Sequence, residues 1–399
     1  MRSIAVVSVL AVPLLLTAAC NRSPQAFAPG GSDSATPAPT GAAQPVAATD
    51  PMAANDAATV GPADSEARPL MQVQIVLDRL GFTPGVIDGR EGLSTRNALE
   101  GFQEANGLPI TGKLDDATRL KLGQWARLPA TRVVTIPDDF ARGPFMAVPK
   151  EPADQAKMPA LGYASLDEKL AERFHTTVAT LQMLNPGGQP AQRGAPVAAQ
   201  PGTRAAPSAP ATPAPGSAPL FRAGQQIRVP NIGNDGIEAA ALKGDADWGA
   251  TLASLGIGTD QPQVERIVVS KSKGTLKAYD GNDRLVALYT VTTGSEHDPL
   301  PLGDWKVTAI SRNPKFHYNP ALFWDASPGD KAAMLPPGPN GPVGVVWIDL
   351  SKPHYGIHGT PNPETIGRTE SHGCVRLTNW DAARLALMVK AGVKVVFEA

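Results

Sequence analysis

Two long stretches nearly free of large apolar side chains, residues 21–68 and 187–219, set the strongest limit on what this chain can fold into. They are dominated by Ala, Pro, Gly and Ser, and a large part of the 40 prolines and 39 glycines among 399 residues falls in such segments. A segment of this kind cannot bury enough surface to offset the entropy of ordering it. The length also exceeds that of a usual compact domain. The expectation is therefore several folded units joined by flexible linkers. In order they are a leader at 1–20, a tether at 21–68, a helical unit at 69–128 and a connector at 129–160. A second small unit spans 161–232, interrupted by 187–219; a connector at 233–263 and a β-rich unit at 264–399 follow.

The leader reads as an export signal. Met1-Arg2-Ser3 gives a charged start, Ile4 to Leu16 is apolar, and Thr17-Ala18-Ala19-Cys20 offers a small-residue cleavage site. The apolar run is too short to span a bilayer comfortably. LTAAC resembles the lipobox of bacterial lipoproteins, with Thr17 where Leu is usual. That resemblance implies lipidation of Cys20 and, with Asn21 next to it, a periplasmic protein anchored in the outer membrane. Cleavage by ordinary signal peptidase is the alternative. Lys plus Arg number 36 against 37 Asp plus Glu, a balance that gives no electrostatic case for nucleic acid as a partner. The second cysteine, Cys374, then stands alone in an oxidising compartment, where paired cysteines usually form disulfides.

Between Leu70 and Leu122 apolar residues recur at helical spacing in three groups: Val73, Val76, Leu77 and Leu80; Ala98, Leu99 and Phe102; Ala117, Leu120 and Leu122. Ile87-Asp88-Gly89 before Leu93 echoes Ile110-Thr111-Gly112 before Leu114, a weak internal repeat of a Gly turn followed by a helix start. The segment resembles the three-helix peptidoglycan-binding domain. Further on, Leu170, Phe174, Val178, Leu181 and Leu184 predict two short helices, and FRAGQQIRVPN a strand. This part resembles a LysM domain whose opening strand is expected near Leu161 to Ala164. His175, within its helical part, reads as a surface or packing residue.

From Val264 the pattern becomes short strands: RIVVSKSK, GTLKAYD, RLVALYTVTTG, DWKVTAIS, VGVVWIDL and VKVVFEA, with DAARLALMVKAG as a helix before the last. Embedded in them is GIHGTPNPETIGRTESHGCVRLTN, Gly356 to Asn379, which gathers two of the six histidines and Cys374. Acyl transfer at a cysteine needs a nucleophile, a base, a group that orients the base and donors for the oxyanion. Cys374 is the nucleophile available, His358 and His372 are candidate bases, and Gly373 lets backbone N–H groups approach a substrate. A neighbouring His can lower a thiol pKa. One Cys and two His could also hold zinc, but neither C-x-x-C nor H-E-x-x-H spacing is present, so no metal site is expected.

HGTPNPETIGRTESHGCVRL resembles the active-site motif of the YkuD-type L,D-transpeptidases, and the resemblance extends over roughly 265–399. One departure is Leu302 in PLGDWKV, where the family has Thr; an effect on local packing is expected. The resemblance implies that Cys374 attacks the carbonyl of the third residue of a peptidoglycan stem and releases D-alanine, with His358 as base. It implies that the Gly359 carbonyl orients His358, that the N–H groups of Gly373 and Cys374 bind the oxyanion, and that Arg376 recognises a stem carboxylate. His372 is either catalytic or structural. Ser371 reads as a loop-stabilising hydrogen-bond partner, Tyr355 as a possible donor to substrate, and His354, His317 and His297 as exposed, idle imidazoles. No cofactor is implied. The acceptor is a stem amine, a lipoprotein lysine or water, and a non-catalytic wall-binding scaffold is the reading from another class. The fold class expected is a multidomain chain: a small all-α three-helix domain, a degenerate LysM-like α/β segment and a mainly-β YkuD-like catalytic domain.

Overall fold

The computed structural model describes residues 62–192, 219–233, 236–323, 326–327 and 329–399. The leader with Cys20, most of the tether and the centre of the Pro/Ala-rich insertion lie outside the described residues. Three helices open the described chain: α1 (Pro69–Arg79), α2 (Leu93–Ala105) and α3 (Asp116–Leu122). Two buried glutamines explain the internal repeat. The Gln74 side-chain carbonyl accepts from the backbone N–H of Asp88 and Gly89, and its amide donates to Thr95 Oγ1. Gln103 does the same for Thr111, Gly112 and Thr118. Each glutamine thus ties one helix to the turn and helix that follow it, which satisfies buried backbone donors that would otherwise be left unpaired. Leu120, read as part of the apolar face, is instead exposed.

Next come β1 (Thr131–Thr135), the short α4 (Pro152–Gln155), α5 (Leu166–Arg173), α6 (Val178–Leu184) and β2 (Gln226–Pro230). Ser165 and Thr177 cap α5 and α6 by accepting backbone N–H bonds from Glu168 and Thr180. β1 pairs antiparallel with β2, from Thr131↔Pro230 to Thr135↔Gln226. The opening strand of this βααβ unit is therefore at 131–135, inside the stretch read as a connector, and no strand forms at 161–164. The reason is that Leu161 is bonded elsewhere: its N–H donates to Pro337 O at 2.9 Å and its carbonyl accepts from Asn340 N at 2.9 Å.

The second connector also departs from expectation. It carries α7 (Ala239–Leu242) and α8 (Ala246–Leu255), and Trp248, Leu252 and Leu255 of α8 are fully buried in the core of the β-rich unit. Then follow β3 (Arg266–Ser270), β4 (Thr275–Tyr279), β5 (Leu285–Thr290), β6 (Gly303–Arg312), β7 (Phe316–Tyr318), β8 (Ala333–Leu335), β9 (Val346–Leu350), β10 (Gly356–His358), β11 (Val375–Arg376), α9 (Asn379–Met388) and β12 (Lys394–Glu398). Among the described residues they form an eight-stranded sheet ordered β11-β10-β9-β6-β12-β3-β4-β5, with β7–β8 as a separate hairpin. β10–β11 and β12–β3 are parallel pairs; the other neighbours are antiparallel. Leu302 projects to solvent just before β6, so the departure noted there has no core packing to alter.

The flexible joints expected between units are not what the described residues show; all of them belong to one compact unit. Met71, Ile75 and Ile87 of the three-helix unit share a core with Phe140, Leu170, Phe174 and Ile227 of the βααβ unit. Val76, Leu77 and Phe102 share another with Leu285 and Leu288 of β5. Burying each large side chain contributes about 1.5–3 kcal/mol, so these shared cores hold the units together far more strongly than a tether would. Charge adds to the join. Asp78 on α1 is fully buried between His175, 3.3 Å away, and Arg384 of α9, 3.5 Å away, and the His175 ring stacks on Trp380. His175 is thus a buried partner at the meeting of three units. No helix among the described residues is long and apolar enough to cross a membrane.

Candidate active site

β10 and β11 place His358 and Arg376 side by side, in parallel register with Ile357 opposite Val375. Arg376 is locked from its other side by Thr292, with bonds Arg376 N to Thr292 O at 2.9 Å and Thr292 N to Arg376 O at 3.1 Å. Cys374 therefore sits at the mouth of a strand held on both edges. Ser371 fixes the approach to it: its backbone pairs with Thr293 and Ser295, and its hydroxyl donates to the Cys374 carbonyl at 2.5 Å. Ser371 is thus a loop-closing residue, 4% exposed.

The His358 imidazole is 4% exposed, and its Nδ1 lies 2.7 Å from Gly359 O. A carbonyl can only accept, so Nδ1 carries the proton and Nε2 presents its lone pair. Trp347 of β9 stacks on the ring, centroids 5.4 Å apart. Burial, with the Arg376 charge second, pushes the His358 pKa down to about 4 against a small upward effect of the Gly359 bond. The imidazole is consequently neutral at physiological pH and able to take a proton.

Cys374 is half-buried and donates weakly to His354 O at 3.8 Å. Burial pushes its thiol pKa up, while a backbone hydrogen bond from Gly356 and the Arg376 charge oppose this. The thiol and the imidazole are accordingly both neutral at rest, so thiolate forms when the proton is drawn off. Gly373 has φ +99°, and a Cβ there would come 2.6 Å from the Tyr355 ring. Tyr355, half-buried, lies against that glycine, and burial together with Asp298 and Cys374 raises its phenol pKa. His372 makes an edge contact with Phe323, centroids 5.1 Å apart, and Phe323 stacks on Tyr318 of β7. Of the other histidines, His354 and His297 are exposed on loops; His317 is exposed but on strand β7. Among the described residues no group of three His, Cys, Asp or Glu side chains could hold a metal ion.

Sequence reasoning missed two supports of the imidazole. Trp347 and Asn379, the latter packed behind Gly359, act on His358 from β9 and α9. Trp347 was visible as an aromatic in a strand, but nothing in its spacing pointed to a histidine 11 positions later.

A thiol, an oriented neutral imidazole and an adjacent guanidinium on a mainly-β sheet are the kinds of group that acyl transfer at a cysteine requires. Comparison with known proteins gives the family. Residues 264–397 match the YkuD L,D-transpeptidase catalytic domain model, and 68–122 match a peptidoglycan binding domain model. A Bacillus licheniformis protein named as L,D-transpeptidase YkuD is 34% identical over 152 residues, 38% of this chain and 76% of that one. YbiS of Escherichia coli K12, also named as an L,D-transpeptidase, is 42% identical over 65 residues, 16% of this chain and 21% of that one. A solved L,D-transpeptidase structure from Mycobacterium smegmatis aligns with 34% of this chain and 59% of its own, at 19% identity and a TM-score of 0.28. The chain belongs to the YkuD-type L,D-transpeptidase family and carries a peptidoglycan-binding domain ahead of the catalytic one.

Proposed function

We propose that the chain forms cell-wall cross-links outside the cytoplasm by two acyl transfers through Cys374. The Cys374 thiol loses its proton to His358 Nε2 as sulfur adds to the carbonyl of the third stem residue. The resulting oxyanion takes hydrogen bonds from the N–H groups of Gly373 and Cys374. Collapse breaks the peptide bond; the leaving D-alanine amine takes the proton from His358, and a thioester remains on Cys374. An amine of a second stem then attacks the thioester, giving up its proton through His358, and the thiol is restored. Arg376 holds a stem carboxylate, for which its planar fork is suited. Tyr355 borders the acyl site. His372 takes the structural role, as its edge contact with Phe323 supports.

The observation that carries this reading is the 2.7 Å bond from His358 Nδ1 to Gly359 O, which fixes the basic nitrogen away from the backbone. The three-helix and βααβ units engage the wall, and their fusion to the catalytic sheet holds the active site at a fixed offset from it. A lipid on Cys20 would keep the enzyme at the outer membrane. The test is incubation of the full chain and its Cys374→Ala variant with disaccharide tetrapeptide, followed by mass spectrometry. Dimers formed with loss of D-alanine, and absent from the variant, are expected. Tripeptide alone would replace the amine acceptor by water, and no Cys374-dependent product from folded protein would overturn the assignment.

A further inference from the structure

We propose that Glu172, on α5 of the βααβ unit, is a positioning residue for His358 and acts through the carboxamide of Asn379. The inference rests on the assignment of Cys374 and His358 to the chemistry. Asn379 is fully buried at the start of α9, directly after the Thr378 cap. Its Nδ2 donates to Glu172 Oε1 at 3.0 Å and to Pro339 O at 3.0 Å, while its Oδ1 accepts from Val345 N at 3.3 Å. The carboxamide lies directly on two glycines: a Cβ on Gly359 would come 2.3 Å from Oδ1, and one on Gly344 only 1.9 Å.

Both neighbours of that carboxamide lead to the imidazole. Gly359 supplies the carbonyl that orients His358, and Val345 precedes β9, whose Trp347 stacks on the same ring. Rotating the Asn379 amide by half a turn would set an NH2 against the Val345 N–H and the glycine backbones. Glu172 Oε1, together with the Pro339 carbonyl, makes that rotation unfavourable, because both oxygens now receive Nδ2 and would lose their donor. The one side chain that takes part in holding the amide orientation thus lies 207 residues earlier in the chain.

Glu172 is itself held in place. Tyr163 Oη donates to its Oε2 at 3.2 Å. Burial, with Glu168 and Glu364 adding to it, pushes its pKa up to about 8, against the lowering effect of the bonds from Asn379 and Tyr163. A neutral carboxyl still offers an acceptor oxygen to Asn379. The requirement is therefore for an acceptor at that point, which Gln can meet and Met cannot.

The experiment compares the full chain with Glu172→Met and Glu172→Gln. It measures Cys374 alkylation by iodoacetamide between pH 5 and 10, turnover of disaccharide tetrapeptide, and Tm. A misplacement of about 1 Å can cost about a hundredfold in rate, and a smaller shift less, so Glu172→Met should lower both the alkylation rate and kcat about tenfold with KM little changed. Glu172→Gln should restore both. A folded Met variant that is alkylated and turns over like the parent overturns the proposal, as does a Gln variant as impaired as Met. If the Met variant does not fold, the 15N shifts of the His358 ring decide. They should respond in the parent to ionisation near pH 8 and lose that response in Glu172→Gln; a response common to both overturns the coupling. A parent that releases no D-alanine but whose alkylation depends on Glu172 removes the assigned reaction and leaves the coupling standing.

Discussion

His358 and Arg376 face each other in register across the parallel β10–β11 pair, so a base and a permanent cation share one edge of the sheet. Burial and that cation hold the imidazole pKa at about 4. The rate of Cys374 acylation should show no His-like protonation step near pH 6.5; its acid limb should fall near pH 4, and Arg376→Gln should move that limb upward. Stability follows the same group. The unfolded chain binds the proton below about pH 6.5, whereas the folded chain does so only near 4. The contribution is therefore present above 6.5 and lost as pH falls to 4, on the order of 3 kcal/mol in all. Denaturant titrations of parent and His358→Gln at pH 7 and 4.5 check it, and curves that keep a constant separation would refute the depressed value.

Gly373 combines a left-handed backbone with direct contact to Tyr355, so Gly373→Ala meets both backbone strain and the ring. Losing aligned oxyanion donors costs about a hundredfold or more. Single-turnover acylation should fall by that order in Gly373→Ala, while Tm changes by only a few degrees. Gly373→Ala with Tyr355→Ala should stay slow, because the φ of +99° remains. Recovery to the parent rate in the double variant would mean that the ring contact alone matters.

The candidate residues of the cysteine loop could be gathered from sequence because they are local: His358, Ser371, Gly373, Cys374 and Arg376 fall within the 24 residues from Gly356 to Asn379. The strands around it were equally legible, since alternation sets their faces. What stayed hidden depends on distant pairing. Thr131–Thr135 has no alternation to advertise it and finds its partner β2 only across a long Pro-rich interval. Low-complexity composition suggested loose joints, yet composition carries no information about which apolar faces meet, and Leu285 and Leu288 close on α1 and α2 from another unit. The ionic contact of Asp78 with Arg384 spans 306 positions, and no local pattern encodes it.

That contact makes a prediction about how the units are joined. Although burial opposes ionisation, Arg384 and His175 hold the Asp78 carboxyl well below the usual carboxylate range. Arg384→Met removes the guanidinium beside a fully buried carboxylate, a change that costs about 3–5 kcal/mol when a partner is lost inside a protein. Equilibrium unfolding should show that loss, and adding Asp78→Leu should recover much of it, since the unpaired charge disappears. A double variant no more stable than Arg384→Met would place the cost in lost packing instead.

Glu172 carries the last prediction, in the opposite pH direction from His358. Its folded pKa is raised to about 8, whereas a free glutamate titrates near 4.3. Between those values the folded chain retains a proton that the unfolded chain has released, so this contribution is full below about pH 4 and lost as pH rises through 8. Gln carries no such proton. Each pH unit in the window is worth about 1.4 kcal/mol, so Glu172→Gln should gain on the parent by on the order of 3 kcal/mol between pH 5 and 8. Asp381, raised to about 6 by burial, titrates within the same range but is common to both chains and cancels in the difference. Chemical denaturation at half-unit intervals measures the separation directly. Parallel curves would mean that Glu172 is ionised in the folded protein at neutral pH, and that the α5–α9 contact is a charged hydrogen bond instead of a neutral one.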